Sequence, residues 1–387
     1  MFAIWRALIR FVCFVFCCVE ILDAADQHTK SVNCVRWSPN GQFLASGIVF
    51  FYFFLFLFLT LCSLFYRTHV ASDDWFIFIW YLAGDTGATK LFGSNETVYE
   101  SWKVSQTLRS HSGDITDVAW SPDSSMLVSC SLNHELFVWS VARDEHPTTP
   151  LARLVGHTTM IKGVAWDPIN RYIASATPSE LKVWRVADWQ LEATLEDAFD
   201  ASHDTTYFRR ASWSPDGQQL TCAGSVNHGN ATALALARGV WKDGRDLVGH
   251  TKPTVVAAWN GAIFTRPPKA ASSSSPASTK STSSSSSSPY AVCAVGSQDC
   301  SVSIWTTQNK RSILVAAALF DGSVLDLRWC PLRHDMLGCA SLDGTVAFFL
   351  FLPNDIGVPL SLAETRASLA KVFFYLIFKF FAKIIIN

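Results

Sequence analysis

The chain has 387 residues, about half of them apolar and only 16% charged, and its 31 Lys and Arg nearly balance 32 Asp and Glu for a net charge of −1. That length holds one large domain or two to three ordinary ones. Charge this even, with no basic stripe, argues against direct tight binding to a nucleic-acid backbone. The 11 cysteines include no CxxC pair, and Cys34, Cys130, Cys222, Cys293 and Cys339 sit in apolar runs. Such a pattern reads as buried, reduced thiols of a cytosolic or nuclear protein, with neither a metal site nor a disulfide framework.

Residues 1–27 open the chain with Arg6 and Arg10, an apolar stretch from Phe11 to Cys18, and small residues at Ala24 and Ala25. This has the outline of a signal peptide. Secretion would expose the strand cysteines to oxidation, so we expect instead an atypical apolar start where a first repeat is missing or mispredicted. Residues 1–22, 48–70 and 372–387 together hold 16 of the 28 phenylalanines.

From Ile48 to Tyr66 nineteen residues carry no charge, enough for one crossing of ~30 Å of hydrocarbon. The flanks decide what this run is. Before it, "CVRWSPNGQFLASG" (34–47) is an apolar strand ending in Trp37, a Pro-Asn-Gly turn and a second strand; after it, "DDWFIFIW" is a third strand ending in Trp80. A single span in that position would place two paired strands on opposite sides of a bilayer. Nineteen residues cannot cross twice, and an exposed loop this apolar would aggregate. We therefore expect 48–70 to be an insertion of retained-intron or gene-model origin, and the Phe-rich tail that ends the 352–387 extension to share that origin.

The same strand-turn-strand unit recurs in "DVAWSPDSSMLVSC" (117–130), "GVAWDPINRYIASA" (163–176), "RASWSPDGQQLTCA" (210–223) and "DLRWCPLRHDMLGCA" (326–340), with "VAAWNGAIF" (256–264) as a copy whose turn is altered. Trp120, Trp166, Trp213 and Trp259 lie 46, 47 and 46 residues apart, close to the length of a four-stranded propeller blade. Trp329 follows 70 residues after Trp259, and the Ser-rich loop 266–289, 24 residues long, accounts for the excess. His28, His111, His157 and His250 stand nine residues before a Trp, with Asp204 and Phe320 in two irregular copies. Third strands close at Trp80, Trp139, Trp184 and Trp305; six residues before these lie Asp74, Asn133, Pro178 and Asp299, and Asp343 matches in the copy ending at Phe349.

Over 28–351 this pattern resembles the WD40 repeat. The resemblance implies an all-β propeller, seven-bladed with six blades recognisable and the first missing. It also implies that each turn Asp accepts a hydrogen bond from the His, which binds a strand Ser or Thr and the closing Trp. The histidines are then satisfied core residues and not ligands or catalysts. Asn133 can accept such a bond and Pro178 cannot, so the blade of Trp184 is expected to have a looser turn.

Strings outside the generic repeat, among them "LKVWR", "DWQLE" and "GVWK", make 28–365 similar to the N-terminal propeller of the HIRA family of histone regulators. The resemblance implies a nuclear scaffold that is not an enzyme and needs no cofactor or metal. It would hold histones and histone-chaperone subunits of the ubinuclein type, touch chromatin only through them, and act in replication-independent nucleosome assembly and transcriptional regulation. The sequence shows no GxSxG, P-loop or HExxH signal for a rival enzyme. The remaining rivals are another WD40 adaptor, either the propeller subunit of the replication-coupled chromatin assembly factor or a ubiquitin-ligase receptor, and a membrane-tethered propeller. Partner-binding residues are not legible.

Overall fold

The computed structural model describes residues 31–40, 42–49, 75–82, 89–90, 97–98, 102–141, 149–199, 206–242, 244–266, 288–317, 320–331, 333–361, 363–365 and 367–368. His28, Asp74, Asp204, the start 1–27, most of the 48–70 run, most of the Ser-rich loop and the tail from 371 lie outside them.

The described strands form six antiparallel blades and a separate two-stranded hairpin, Thr89–Lys90 with Thr97–Val98. Blade 1 takes Ser31–Trp37, Phe43–Val49, Phe76–Leu82 and Trp102–Arg109. Blade 2 takes Ile115–Trp120, Met126–Ser131, Leu136–Ser140 and Ala152–Leu154. Blade 3 takes Gly163–Trp166, Tyr172–Ala176, Leu181–Arg185 and Leu191–Leu195. Blade 4 takes Ser212–Trp213, Gln219–Asn227, Asn230–Ala237 and Gly244–Val248. Blade 5 takes Thr254–Thr265, Tyr290–Ser297, Val302–Thr306 and Leu314–Ala316, and blade 6 takes Val324–Trp329, Met336–Ser341 and Val346–Leu350. After blade 6 the chain makes one helical turn, Pro353–Ile356, and Val358–Pro359 then returns to pair with the end of the first strand of blade 5. Apart from that returning strand, each sheet is built from pairings between strands that follow one another along its own blade.

The turn chemistry explains why the hairpins form where they do. The Ser after the strand Trp reaches the far strand: Ser38, Ser121 and Ser214 each accept from the backbone amide five residues on, at Phe43, Met126 and Gln219, at 2.9 Å. Each of these hydroxyls also donates to the turn Asn or Asp, at Asn40, Asp123 and Asp216. These are local side-chain-to-backbone bonds of the kind that nucleate turns. Gly217 completes its turn at φ +65°, where a Cβ would lie 2.5 Å from Ile169 Cδ1, so a larger residue there strains the turn. In blade 3 Asp167 replaces the Ser and accepts from the amides of Ile169 and Arg171, both at 3.0 Å.

Phe43–Val49 pairs in register with Phe76–Leu82, Phe43 opposite Tyr81 and Gly47 opposite Ile77. Residues 50–74 therefore connect two neighbouring strands, a place where one membrane crossing would split the blade. Among the described residues no helix is long and apolar enough to cross a membrane. Likewise Phe264 faces Tyr290 across the pairing in blade 5, so the Ser-rich loop links two paired strands.

The core lies between blades. Separate apolar clusters join blades 1 and 2, 2 and 3, 3 and 4, 4 and 5, and 5 and 6. The first-strand tryptophans add hydrogen bonds across these seams. Trp120 donates to the carbonyl of Arg36 at 2.9 Å, Trp213 to that of Ala165 at 3.4 Å and Trp329 to that of Ala258 at 3.0 Å. Trp259 donates to Thr221 Oγ1 at 3.1 Å, again in the preceding blade. The repeated Trp thus fastens each of these blades to its predecessor, and a buried indole N–H rarely goes without such a partner.

Candidate functional site

Two sets of polar side chains are buried in this ring, one inside single blades and one on the axis. Within blade 2 the indole of Trp139 donates to Ser129 Oγ at 2.9 Å, and that hydroxyl shares a hydrogen bond with His111 Nε2 at 2.6 Å. Blade 3 repeats the chain with Trp184, Ser175 and His157, at 2.8 and 2.6 Å. In blade 1 the described part is Trp80 donating to Ser46 Oγ at 2.9 Å. A serine that spends its only proton on His Nε2 leaves the ring proton on Nδ1.

What that second proton meets differs from blade to blade. In blade 5 His250 Nδ1 lies 3.1 Å from Asp299 Oδ2 and 3.0 Å from Ser301 Oγ. Burial pushes the Asp299 carboxyl up, but bonds from His250, Ser301 and the Thr251 amide outweigh it and hold the group well below the usual range. In blade 3 the looser turn expected from Pro178 is not found, because Glu180, two residues on, accepts from His157 Nδ1 at 2.7 Å and also pairs with Lys182. The longer Glu side chain makes up for the shifted position. In blade 2 the bond expected of Asn133 is not made: its amide donates to Ser112 Oγ at 2.6 Å and Glu135 Oε2 at 2.5 Å, and His111 Nδ1 has no partner. With its NH2 held by Ser112 and the Glu135 carboxylate, the side chain leaves its Oδ1, the atom that would accept from His111, unpaired among the described residues. In blade 6 Phe320 replaces the His and packs in an apolar cluster, while Asp343 takes the amides of Asp321 and Gly322 at 2.8 and 3.1 Å.

Blade 5 contains a rearrangement that strand patterns did not reveal. In blades 1 to 3 the serine is on the second strand, facing Phe78, Phe137 or Lys182 on the third. In blade 5 that second-strand place is Val295, and the serine is its cross-strand partner Ser303. Trp305 and His250 still meet its oxygen, both at 2.7 Å, since the two members of a cross-strand pair lie side by side.

Burial lowers the His111 imidazole to about 3 and the His157 imidazole to about 4, the latter against the pull of Glu180. Both are neutral at physiological pH, which suits a structural role. Replacing Glu180 by Ala leaves the His157 N–H and Lys182 buried without their acceptor, and about 1 to 3 kcal/mol of stability should be lost. A urea midpoint equal to wild type would remove Glu180 from the tetrad.

On the axis, five charged residues from four segments converge. Arg36 of blade 1 reaches Asp117 of blade 2 at 2.8 Å and Asp326 of blade 6 at 3.1 Å. Arg210, just before blade 4, reaches the same Asp326 oxygen at 3.0 Å, and Arg328 stands 3.9 Å from the other. Asp117, Arg210 and Asp326 each precede a strand Trp by three residues, and Arg36 and Arg328 precede one by a single residue. That shared offset was the signal available in the sequence. Arg36, Asp117, Arg210 and Arg328 border a channel of about 340 Å³ lined by all six blades, with Pro39, Pro168 and Pro215 of the turns also in its lining. Among the described residues no group of His, Cys, Asp or Glu could hold a metal ion.

Short antiparallel blades set about one axis, four of them fastened to the preceding blade by a strand Trp and three closed by a Trp-Ser-His chain among the described residues, define a WD40-repeat propeller. The chain belongs to the CAF1B/HIR1 beta-propeller family, whose model matches residues 67–356, and the WD domain, G-beta repeat, matches residues 17–49. It is 40% identical to Protein HIRA of Gallus gallus over 89% of this chain and 30% of that protein, and 39% identical to Protein HIRA of Homo sapiens over the same shares. Protein HIR1 of Mycosarcoma maydis is 34% identical over 91% of this chain and 30% of its own length. The chain thus spans about a third of the length of these relatives.

Proposed function

We propose that the chain is the propeller platform of a HIRA-type histone chaperone complex, acting in the nucleus in nucleosome assembly outside replication and in transcriptional regulation. The observation that carries this is the identity to HIRA proteins along 89% of the chain, where a generic propeller would share only the repeat positions. The structure fits a platform: its polar side chains are spent on the fold and its turns present a rigid rim on which partner segments can lie. Partners in this reading are histones and a ubinuclein-type subunit, with chromatin reached through them.

The test is affinity purification of the tagged chain from cells in which DNA synthesis is either running or blocked. Histone H3–H4 and a ubinuclein-type subunit recovered equally under both conditions is the expected result. The matching family model also carries the name CAF1B, so a replication-coupled chromatin assembly platform is the second reading. Histones recovered only while DNA is being synthesised would establish it in place of the first, and ubiquitin-ligase subunits in their stead would refute both.

A further inference from the structure

The hairpin of blade 5 that carries the Ser-rich loop ends in a Ser-Pro pair, Ser288–Pro289, with Ser288 exposed. Phe264 faces Tyr290 across the pairing, so Arg266 and Ser288, each two residues towards the loop, stand at the same end of the hairpin. Pro289 has no N–H to give to the ladder, which leaves the residue before it outside the sheet. Ser288 is tied instead to Gln308, whose Nε2 donates to the Ser288 carbonyl at 2.5 Å and to its Oγ at 2.8 Å. Gln308 belongs to a turn that is fixed from behind. The Thr307 N–H donates to the Ala291 carbonyl at 3.1 Å, and Arg245 donates to the carbonyls of Thr306 and Asn309 at 3.2 and 3.0 Å. Exposed Lys310 and Arg311 follow in the same turn. Arg266, Tyr290, Gln308 and Asn309 line one cleft of about 620 Å³ together with the segment that leaves blade 6. The carboxylate of that segment, Asp355, is engaged by the Leu352 amide at 2.8 Å.

We propose that Ser288 is a phosphorylation site for a proline-directed protein kinase, and that its phosphate is held by Gln308 and Arg266 at the mouth of this cleft. In the transfer, Ser288 Oγ bonds to the γ-phosphorus of ATP, the bond from that phosphorus to its bridging oxygen breaks, and ADP leaves. The hydroxyl proton passes to the base of the kinase. Exposure singles this serine out from the Ser-Pro and Thr-Pro pairs of the blade turns: Ser38, Ser121, Thr177 and Ser214 are at most 2% accessible, out of a kinase's reach. A phosphoserine carries about −1.5 to −2 charge at pH 7 and three acceptor oxygens. At position 288 the Gln308 amide already meets the atom that would bear the phosphate, and the Arg266 guanidinium at the same end of the hairpin supplies a charge-assisted partner. The added dianion ties both arms of the hairpin to the turn of Gln308. This holds whichever partner the platform carries.

Treating the full chain with ATP and a mitogen-activated protein kinase, a proline-directed enzyme, and weighing the intact product tests the site. Ser288→Ala and Pro289→Ala should each lower the phosphate count by one per chain, and their melting temperatures show that both variants fold. An unchanged count in Ser288→Ala overturns the proposal, as does a wild-type chain that takes no phosphate. The holding groups are tested on the full chain with phosphoserine encoded at position 288. Phosphorus NMR should place its second ionisation below the ordinary value of about 6, because a neighbouring cation favours the dianion. Arg266→Gln should return it towards that value, and Arg266→Lys should keep most of the depression. The phosphorylated chain should also melt above the unmodified one, a rise that Arg266→Gln removes. A phosphoserine that titrates at the ordinary value in wild type and Arg266→Gln alike overturns the assignment of the phosphate to this cleft.

Discussion

Replacing Asp326 by Ala should cost the propeller about 3 to 5 kcal/mol, the loss expected when one partner of a buried ion pair is removed and the others stay charged. Asp326 receives Arg36 from blade 1, at 3.1 Å, and Arg210 from before blade 4, at 3.0 Å, and its other oxygen takes its neighbour's amide, Leu327 N–H, at 3.0 Å. Burial by itself would raise its carboxyl, yet Arg210, Arg36 and Arg328 hold it well below the usual range. With the carboxylate gone, Arg36 and Arg210 lose the acceptor they share. The loss falls on long-range order, because the contact joins blade 6 to blade 1 while the apolar clusters join only blades adjacent in sequence. Guanidinium unfolding at pH 7 measures it, with Asp335→Ala as control. That residue pairs with Arg333 on the surface, both side chains 45% accessible, and its loss should cost under about 1 kcal/mol. Equal midpoints for the two variants would show that the axial network is not structural.

Acid should destabilise the protein well before its carboxylates are protonated. His111 and His157 are held neutral in the folded chain, near about 3 and about 4, against an ordinary 6.5. Below pH 6.5 the unfolded chain therefore binds protons that the folded chain refuses, and stability falls as the pH falls. The fall starts near pH 6.5 and ends only at the folded values of about 4 and about 3. Each histidine contributes on the order of 1.4 kcal/mol per pH unit across that window, so the pair removes roughly 5 kcal/mol between pH 6.5 and 4.5. Urea midpoints from pH 7.5 to 4.5 give the slope. The double variant His111→Gln, His157→Gln should be less stable at pH 7.5 and should show a much flatter profile. An unchanged slope in the double variant would place the acid sensitivity elsewhere.

The repeat was legible because every signal that builds a blade is local. Strand alternation, the Trp-Ser-Pro turn and the Trp interval near 46 residues all act within one hairpin or between neighbouring hairpins, and each can be read by laying one stretch of chain on the next. The same locality placed residues 50–74 between paired strands and gave the histidines a structural role. Where the tetrads departed from their pattern, the pattern was followed in chemistry but not in position. Glu180 replaces an acceptor two residues away from its expected place, Ser303 has moved to the opposite strand, and the Asn133 amide is taken by Glu135. A side chain's reach is settled in three dimensions, so neighbouring positions on a hairpin can exchange a task that a linear motif assigns to one of them.

The sequence alone determined the class of fold, the blade spacing and the family. Only the tertiary structure decided which residues of distant blades meet: Arg36 reaches Asp117 across 81 positions and Asp326 across 290. Separations of that order leave no period in the chain. They arise because blades set about one axis bring first strands from distant parts of the sequence together, where charges far apart in the chain meet.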